Sequence, residues 1–299
     1  MRISLELAET LAAIVDEGTL DAAAARLHLT PSAVSQRLKA LEVQLGRVLL
    51  VRSKPVRPTE AGHAVVRMAR QLALLEHDLL LDVGADDPAG TPMSVPLAVN
   101  ADSLATWFLE PLAELARTRP VVFDLHRDDQ DFTAGLLESG TVMGAVTSRS
   151  RPVAGCRVVP LGVMRYQAMA RPSFVDRWLP SGATAVGLAL APLVDFDRRD
   201  DLQTGWLTAR GVDPTLPPRH FVPASADYAR AVRAGLGWGL VPAFQSTDAV
   251  AAGELVGLGG PSVDVALYWQ QWNLRSPLLD AIASEVVDTA KRRLLQPRH

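Results

Sequence analysis

Three short helical segments follow one another within the first 46 residues of the 299-residue chain. Apolar residues recur at helical spacing over residues 5–14, and Gly18 follows as a stop signal. Thr19 is placed to cap a second, alanine-rich helix. Thr30 and Pro31 form an N-cap and first-turn pair, which predicts a third helix only three or four residues after the second. This order and spacing are typical of a helix-turn-helix, whose second helix lies in the DNA major groove.

The third segment, which ends at Gly46, combines an apolar face with a face of hydrogen-bond donors. Its apolar positions recur at helical spacing and are Val34, Leu38, Leu41 and Leu45. The opposite face carries no carboxylate before Glu42, and a carboxylate there would repel phosphate. Its amide, hydroxyl and cationic groups suit base edges and phosphates. The predicted DNA contacts of this helix and its cap are Thr30, Ser32, Ser35, Gln36, Arg37 and Lys39.

A basic hairpin is predicted directly after this helix. Two short β-prone runs flank a Ser-Lys-Pro turn in the stretch VLLVRSKPVRPTEAG. Arg52, Lys54 and Arg57 decorate the hairpin and are placed, as in a wing, to touch the DNA backbone or minor groove. Residues 26–57 hold seven basic side chains and one acidic one, although the whole chain has a net charge of -3. This uneven distribution indicates a polyanion as the partner of the N-terminal segment.

A long helix is predicted from Thr59 and Glu60 to about Leu81. Because a lone helix of this length is poorly stable, we expect its apolar seam to pack on a second copy of itself. The seam residues are Met68, Leu72, Leu75 and Leu79. The Gly-, Pro- and Asp-rich run 84–92 is predicted to be a hinge. The alternative for the N-terminal segment is a plain helical bundle with a solvated polar face.

Strand-like and helix-like runs alternate from Met93 onwards, which predicts an α/β fold with largely parallel sheets. Helices are expected near residues 103–116 and 132–138, after the strand-like runs MSVPLAV and VVFDLH. The pattern changes near Leu161 and again near Leu267, so we expect two subdomains with a crossover. The predicted domains are 1–58 (winged helix-turn-helix), 59–90 (linker helix and hinge) and 91–299 (effector domain). Subdomain I comprises about 91–162 and 269–299, and subdomain II about 163–268.

Polar residues follow the predicted strands of this half, at the ends where α/β folds bind ligands between subdomains. Helix-start amides near Ser103 suit a carboxylate, and clustered aspartates suit an ammonium or guanidinium group. A site with both complements an amino acid with a cationic side chain. The predicted ligand-binding residues are Asn100, Asp102, Ser103, Asp129, Asp131, Thr147, Asp197 and Asp201, with Asp128, Ser148 and Asp200 as neighbours. The alternative is that these aspartates cap helices or pair with nearby arginines.

No motif for catalysis, metal binding or cofactor binding is recognisable, so we expect no enzyme activity, no metal and no cofactor. Cys156 is the only cysteine, and the six histidines have no metal-ligand spacing. The glycines of GLGWGLVP do not have the spacing of a dinucleotide-binding loop. We expect Trp107, Trp269 and Trp272 in the core. The N-terminus has no secretion signal and no apolar run spans a bilayer, so we expect a cytoplasmic protein.

The run LAAIVDEGTLDAAAARLHLTPSAVSQRLKALEVQLGRVLLVR, followed by PTEAG, resembles the N-terminal domain of LysR-type transcriptional regulators. The resemblance implies a winged helix-turn-helix, antiparallel pairing of linker helices and a C-terminal effector domain with a periplasmic-binding-protein-like fold. It also implies homodimers that often pair into tetramers. The implied partners are double-stranded promoter DNA and a small-molecule effector, with RNA polymerase as a further candidate.

Stretches such as RDDQDFTAGLLESG, GCRVVPLGVMRY, DFDRRDDLQ and LYWQQW are similar to the ArgP/LysG branch of this family. That branch senses basic amino acids and switches on export genes, which implies L-lysine or L-arginine as the effector without choosing between them. A LysR-type regulator with a different effector is one alternative, and a sequence-tolerant chromosome-binding protein is another. A transport module would need only the effector half, and the DNA-binding segment argues against it.

Overall fold

The computed structural model describes residues 3–51, 53–84, 92–127 and 133–296. Several predicted functional positions lie outside the described residues: Arg52 of the hairpin, and Asp128, Asp129 and Asp131 after the second strand of the effector half. The same holds for residues 85–91 of the predicted hinge.

The N-terminal module consists of three helices and a two-stranded hairpin. The helices are α1 (Leu5–Glu17), α2 (Leu20–Arg26) and α3 (Pro31–Leu45), and strands β1 (Leu50–Val51) and β2 (Arg57–Pro58) pair antiparallel. The predicted boundary signals are in place. Gly18 ends α1 at φ 72°, and the hydroxyl oxygens of Thr19 and Thr30 accept hydrogen bonds from the Ala22 and Ala33 amides at 3.2 Å. This arrangement confirms the winged helix-turn-helix.

The apolar face of α3 lies against α1 and α2, as its spacing predicted. Val34 and Leu41 are fully buried, and Leu38 and Leu45 are half-buried against the same core. The linker helix α4 (Glu60–Asp82) then begins at Thr59, whose hydroxyl accepts from the Gly62 amide at 3.1 Å. It packs along α1, so the first residues of the linker helix belong to the core of the N-terminal module.

The effector half begins with one α/β unit that leads into a long strand. Its elements in chain order are β3 (Met93–Val99), α5 (Ala101–Thr106), α6 (Leu109–Thr118), β4 (Val121–Arg127), α7 (Thr133–Glu138), β5 (Gly144–Thr147) and β6 (Cys156–Ala170). The chain continues through α8 (Pro172–Trp178), α9 (Ala185–Leu190), β7 (Leu193–Asp195), α10 (Leu202–Ala209), β8 (Arg219–Phe221), α11 (Ser225–Ala234), β9 (Gly239–Pro242) and α12 (Ala243–Ala251). It returns through β10 (Val256–Gly257), β11 (Val263–Trp272) and α13 (Pro277–Arg293).

The sheets of this half are mixed, so the expectation of largely parallel sheets is wrong. Parallel pairing joins β3 to β4 and β5, and β7 to β8. The long strands β6 and β11 pair antiparallel with each other, and also with β5, β9 and β10. The physical reason is that the chain crosses between the two halves in one direction on β6 and returns on β11. Their register shifts between Leu267 and Tyr268, beside Gly162, where the sequence pattern changes.

The helix expected near residues 103–116 is in fact two helices, α5 and α6. The break falls at Trp107 and Phe108, which are both almost completely buried and meet edge to face at 5.7 Å between ring centroids. Neighbouring residues of a continuous helix point about 100° apart, so turning the chain lets both rings enter the core. Trp269 and Trp272 are buried as well, as the sequence predicted. None of the helices in the described parts of the chain is long and apolar enough to cross a membrane.

Candidate functional site: DNA-binding surface and ligand pocket

The donor face of α3 is exposed, opposite the buried Val34 and Leu41. Ser32, Ser35, Gln36 and Lys39 all point to solvent from this face. Thr30 has a structural role, because its hydroxyl oxygen accepts from the Ala33 amide and caps the helix. The result is a helix surface free of carboxylates over its first two turns, with the dimensions that a major groove admits.

Arg37 does not belong to this face, in contrast to the sequence expectation. Its guanidinium forms an ion pair with Glu6 of α1 and lies 3.5 Å from the Thr10 hydroxyl. The reason is geometric, since position 37 follows Gln36 by about 100° around the helix and so turns toward α1. Arg37 therefore ties α3 to α1, and its predicted contact with DNA would require the guanidinium to leave Glu6.

The hairpin presents two of its three predicted cations to solvent. Lys54 at the turn and Arg57 on β2 are both exposed, while Arg52 lies outside the described residues. The hairpin is held to the module by the Val56 amide, which donates to the Gly18 carbonyl at 3.0 Å. Its cations are therefore fixed at one side of α3, where a wing can reach the backbone of the same DNA duplex.

The predicted seam on α4 is mostly an exposed apolar stripe. Leu72, Leu75 and Leu79 are 38%, 39% and 59% exposed, whereas Met68 is half-buried against the core of the N-terminal module. These three leucines lie on one side of a helix that already buries another face. Exposed apolar patches are often interaction sites.

A cavity of about 500 Å³ lies between the two halves of the effector domain. It is bounded by residues at the ends of β3 and β4, by the crossing strands β6 and β11, and by the segment between β7 and α10. The polar residues that line it come from strand ends, from helices and from β6. They are Asn100, Asp102, Arg127, Ser148, Tyr166, Asp197, Arg199, Asp200, Asp201, Gln203 and Tyr228.

The predicted ligand residues divide into two groups in the structure. Asn100, Asp102, Asp197 and Asp201 line the cavity. Ser103 and Thr147 are buried behind it and do not line it, and the Thr147 hydroxyl accepts a hydrogen bond from the Arg149 amide at 3.1 Å. A ligand contact at these two positions stays a prediction, since the expectation for Ser103 rested on the amides at the start of α5 and not on its side chain.

Asp102 is a buried carboxylate at the wall of the cavity. The Tyr166 hydroxyl donates to its Oδ2 at 2.6 Å. Burial raises the pKa of Asp102, and the hydrogen bonds from Ser225 and Tyr166 oppose that shift. The same burial, together with the Asp102 charge, holds the pKa of Tyr166 well above its ordinary value. Tyr166 is thus a hydrogen-bond donor that orients Asp102.

Asp200, which the sequence named as a neighbour of the predicted ligand residues, lines the cavity. It accepts hydrogen bonds from the Leu202 amide at 3.0 Å and the Phe196 amide at 3.4 Å. Burial raises the pKa of Asp200 to about 6 despite these bonds, and the charges of Asp195 and Asp102 add to the effect. The only sequence signal was its place in the acidic run DFDRRDD, which does not reveal the member that points inward.

Gln203 also lines the cavity, and nothing in its own sequence pattern showed this. Its Nε2 donates to the Tyr228 hydroxyl at 2.7 Å and to the Val194 carbonyl at 3.1 Å. Its Oε1 is buried without a hydrogen-bond partner, and so is the Asn100 Oδ1. Within the described part of the chain, the residues that line the cavity therefore include carboxylates and two amide groups whose oxygens are buried without a donor.

The alternative of helix capping and local ion pairing applies to Asp200, which accepts from the amide of the first residue of α10, and to Asp197. Asp197 accepts from the Arg199 amide at 2.7 Å and pairs with the Arg199 guanidinium at 3.2 Å. Burial alone would raise the pKa of Asp197, but the bonds and charge of Arg199 lower it. Asp201 stands at the start of α10 and makes no side-chain cap. Asp197 thus has a local counterion inside the cavity wall, and Asp201 does not act as a cap.

Two family profiles cover most of the chain. Residues 5–63 match the profile described as bacterial regulatory helix-turn-helix protein, lysR family. Residues 93–291 match the profile described as LysR substrate binding domain. The first match coincides with the helix-turn-helix, hairpin and start of the linker helix, and the second with the α/β half that contains the cavity.

Among proteins similar in sequence, the HTH-type transcriptional regulator LysG of Mycobacterium tuberculosis is 45% identical over 276 residues, which is 92% of this chain and 90% of LysG. The crystal structure of ArgP from the same organism superposes with a TM-score of 0.84 at 43% identity and covers 98% of both chains.

A third relative is LysG from Corynebacterium glutamicum, described as a lysine export transcriptional regulatory protein. It is 40% identical over 286 residues, which are 94% of this chain and 96% of LysG. Its full-length structure with bound effector Arg matches at TM-score 0.76 and covers 98% of this chain and 100% of that one. A second full-length structure of it matches at TM-score 0.62, covering 99% and 100%.

Proposed function

The chain belongs to the LysR family of bacterial transcriptional regulators, and we propose that its effector is an amino acid with a cationic side chain, lysine or arginine. On this proposal it controls a gene for export of that amino acid. The division of labour follows the predicted domains, with 1–58 binding DNA, 59–90 joining two copies and 91–299 binding the effector.

The observation that supports this effector most directly is the acceptor-rich wall of the cavity. Asp102, Asp200 and Asp201 supply carboxylates, and Asn100 and Gln203 supply buried amide oxygens. A guanidinium or ammonium group offers several donors and a positive charge, and a carboxylate-lined site binds it well. The 500 Å³ cavity is in the range that accommodates one small molecule.

The cavity lining carries both signs of charge, which suits a zwitterion. Arg127 at the end of β4 and Arg199 line the same cavity as the aspartates. Guanidinium groups bind carboxylates through paired hydrogen bonds, so these arginines are our candidates for the α-carboxylate. The relative from Corynebacterium glutamicum was solved with arginine bound, which is consistent with this chemistry in a protein 37% identical to this one.

On the DNA side, we propose that α3 lies in the major groove with Gln36 and Lys39 at base edges. Ser32, Ser35, Lys54 and Arg57 would contact the backbone, with Arg52 as a further candidate on the hairpin. Leu72, Leu75 and Leu79 would join two linker helices in a homodimer, which matches the two half-sites of a palindromic operator. A regulator of this kind acts in the cytoplasm, where it meets the promoter and RNA polymerase.

The test of the effector is thermal unfolding of the full-length protein with L-arginine, L-lysine or L-citrulline. Citrulline has nearly the shape of arginine but no charge on its side chain, so it isolates the contribution of the side-chain cation to binding. A ligand at 100 times its dissociation constant adds about 2.7 kcal/mol to the folded state, which raises the unfolding temperature by a few degrees. We expect a rise with arginine or lysine and none with citrulline.

Matched variants connect that rise to the cavity. Asp200→Asn removes the cavity carboxylate, whereas Asp248→Asn changes an exposed aspartate on α12 that lies outside the cavity. The rise should disappear in the first variant and persist in the second. A rise of equal size with citrulline, or an undiminished rise in Asp200→Asn, would contradict the proposed mode of recognition.

A further inference from the structure

One face of the linker helix α4 docks on the effector domain of the same chain. His63, Arg67 and Arg70 recur at helical spacing on this face. His63 Nδ1 lies 3.2 Å from the Ser139 carbonyl oxygen, Arg67 Nη1 donates to the Glu138 carbonyl at 3.0 Å, and Arg70 Nη1 donates to the Gly140 carbonyl. Three consecutive carbonyl groups therefore accept hydrogen bonds from one helix face, which we call the docking face.

The accepting carbonyls are those at the C-terminal end of α7, which ends at Glu138. Carbonyl groups at a helix end have no partner within the helix and carry the negative end of the helix dipole. Two guanidinium groups are well suited to that end. Burial lowers the pKa of His63. Because its Nδ1 lies against a carbonyl oxygen, which can only accept, Nδ1–H is the donor of the third hydrogen bond. The contact is thus chemically matched on both sides.

Gly140 permits the close approach of the two elements. Its φ of +73° lies in the left-handed region, and a Cβ built on it would lie 2.4 Å from Arg67 Cβ and 2.9 Å from Arg67 Cα. Because one of these atoms belongs to the backbone of α4, a side chain at position 140 could be accommodated only if the linker helix moved away.

Arg70 also connects the docking face to the N-terminal module. Its Nη2 forms an ion pair with Asp16 of α1, and the Arg70 side chain is only 11% exposed. Asp16 in turn pairs with Arg26 of α2 at 3.0 Å. One guanidinium therefore joins the end of α7 to the helix on which the DNA-reading α3 packs.

The other side of α7 leads to the ligand cavity. Helix α7 packs on β5 and β3. Asn100 directly follows β3 and Ser148 directly follows β5, and both line the cavity. A chain of packed elements therefore runs from the cavity through two strands and α7 to Arg70 and the N-terminal module.

We propose that the docking face and the end of α7 form the contact that couples effector binding to the placement of the DNA-binding module. This inference rests on the proposed function, since it assumes a ligand in the cavity. The two structures of LysG from Corynebacterium glutamicum match this chain at TM-scores of 0.76 and 0.62 over nearly the same residues, so the parts of that relative are arranged differently in the two. A protein whose domains adopt more than one arrangement needs contacts that favour one arrangement over the other.

The experiment uses the full-length protein and a DNA fragment recovered from a random pool by selection with the parent protein. DNA affinity is measured by fluorescence anisotropy with and without saturating L-arginine, and L-arginine binding is followed separately by the rise in unfolding temperature. Gly140→Ala separates the docked elements. Gly155→Ala is the matched control, because Gly155 has a φ of +77° and no atom within 4 Å of its Cβ position. Arg67→Met removes one donor while keeping its aliphatic stem, in case Gly140→Ala does not fold.

In the parent and in Gly155→Ala, we expect L-arginine to change DNA affinity by at least about fivefold, the lower end of common allosteric couplings. In Gly140→Ala, or in Arg67→Met, the change should fall below about twofold while L-arginine still raises the unfolding temperature. Full coupling in both docking variants would overturn the proposal.

Failure of the proposed function gives a different pattern. If neither L-arginine nor L-lysine raises the unfolding temperature of the parent, the effector assignment fails, and the coupling proposal fails with it; if only L-lysine does, the same measurements are made with L-lysine. Hydrogen exchange on the parent provides a readout without substitutions. L-arginine should change amide exchange in 133–140 and 63–74 together, and unchanged exchange in both segments with bound L-arginine would also overturn the coupling role.

Discussion

Asp200 shows how a single carboxylate can serve as a sensor of positive charge. It is buried beside Asp195 and Asp102, and the pKa of its carboxyl is raised to about 6 mainly by burial. In the folded protein this group therefore holds a proton more tightly than in the unfolded chain. The contribution of Asp200 to the stability of the ligand-free protein therefore falls as the pH rises from about 4 to 6, because the carboxylate must ionise in a poorly solvated place.

A cationic ligand should reverse this effect, which gives a pH-dependent affinity. At pH 5 only about one tenth of Asp200 is ionised, so L-arginine should bind about tenfold more weakly than at pH 7.5. Isothermal titration across pH 5–8 would measure this, with a midpoint near pH 6. Asp200→Asn should flatten the profile, and a wild-type profile that is flat between pH 5 and 7.5 would contradict the role of Asp200.

Gln36 is the residue for which base reading is most directly testable. Replacement by Ala removes both amide groups from the exposed face of α3 and leaves the buried face unchanged. We expect specific DNA binding to weaken by roughly 1–3 kcal/mol, with relaxed preference at one base pair. Competition against a panel of single-base variants of the selected site would measure this. An equal loss on every sequence would indicate a backbone contact instead.

Residue types were easier to predict than residue orientations. The acidic run near position 200 and the polar residues after β3 were recognised from the sequence, and Asn100, Asp102, Asp197 and Asp201 line the cavity. Asp200 was named only as a neighbour, and Arg37 was placed on the wrong face of α3, because neighbouring side chains point in directions that only the packed structure determines. Tyr166 and Gln203 lie in stretches that carry the branch resemblance, but nothing in their own pattern showed that they face the cavity.

The linker helix α4 has three faces, and each makes a different contact or is exposed. Val65, Val66 and Ala69 pack in the N-terminal module, and the docking face reaches the effector domain, where Leu74 is fully buried. The leucine stripe occupies the remaining side and is exposed. The positions of these leucines on one side of the helix were predictable from the spacing of apolar residues in the sequence. The docking face was not, because His63, Arg67 and Arg70 look like ordinary solvated residues in the sequence.

The leucine stripe should control assembly. Leu75→Glu combined with Leu79→Glu would place four carboxylates between two paired helices, where apolar contact is expected. Sedimentation velocity should show at least a tenfold weaker dimer. Val43→Glu is the control, because Val43 is 74% exposed on α3, away from the stripe. An unchanged dimer in the double variant would mean that other surfaces hold the copies together.

The hairpin should contribute affinity without sequence preference. Replacing Lys54 or Arg57 by Ala removes one cation near the phosphate backbone. Each change should weaken binding to all DNA sequences similarly and reduce the slope of log affinity against log salt concentration by about 1. Anisotropy titrations from 50 to about 200 mM salt measure that slope. A slope that both variants share with the parent would exclude the hairpin from the DNA interface.

At the scale of the whole molecule, local signals determined the architecture well. Caps, stops and periodicity in the first 82 residues predicted every helix of the N-terminal module, because each signal acts within a few residues. The effector half was predicted as α/β, but its antiparallel crossing strands were not. Strand direction depends on which distant segments pair, and β6 and β11 pair across about one hundred residues of chain.

The central claim is that one molecule reads DNA and a cationic amino acid together. The most direct test is the DNA affinity of the full-length protein, measured against rising L-arginine and L-lysine with L-citrulline as the uncharged control. We predict a saturable change of about 5- to 150-fold with a cationic ligand and no change with citrulline. DNA affinity that stays constant at concentrations where the unfolding temperature shows the ligand bound would contradict the account.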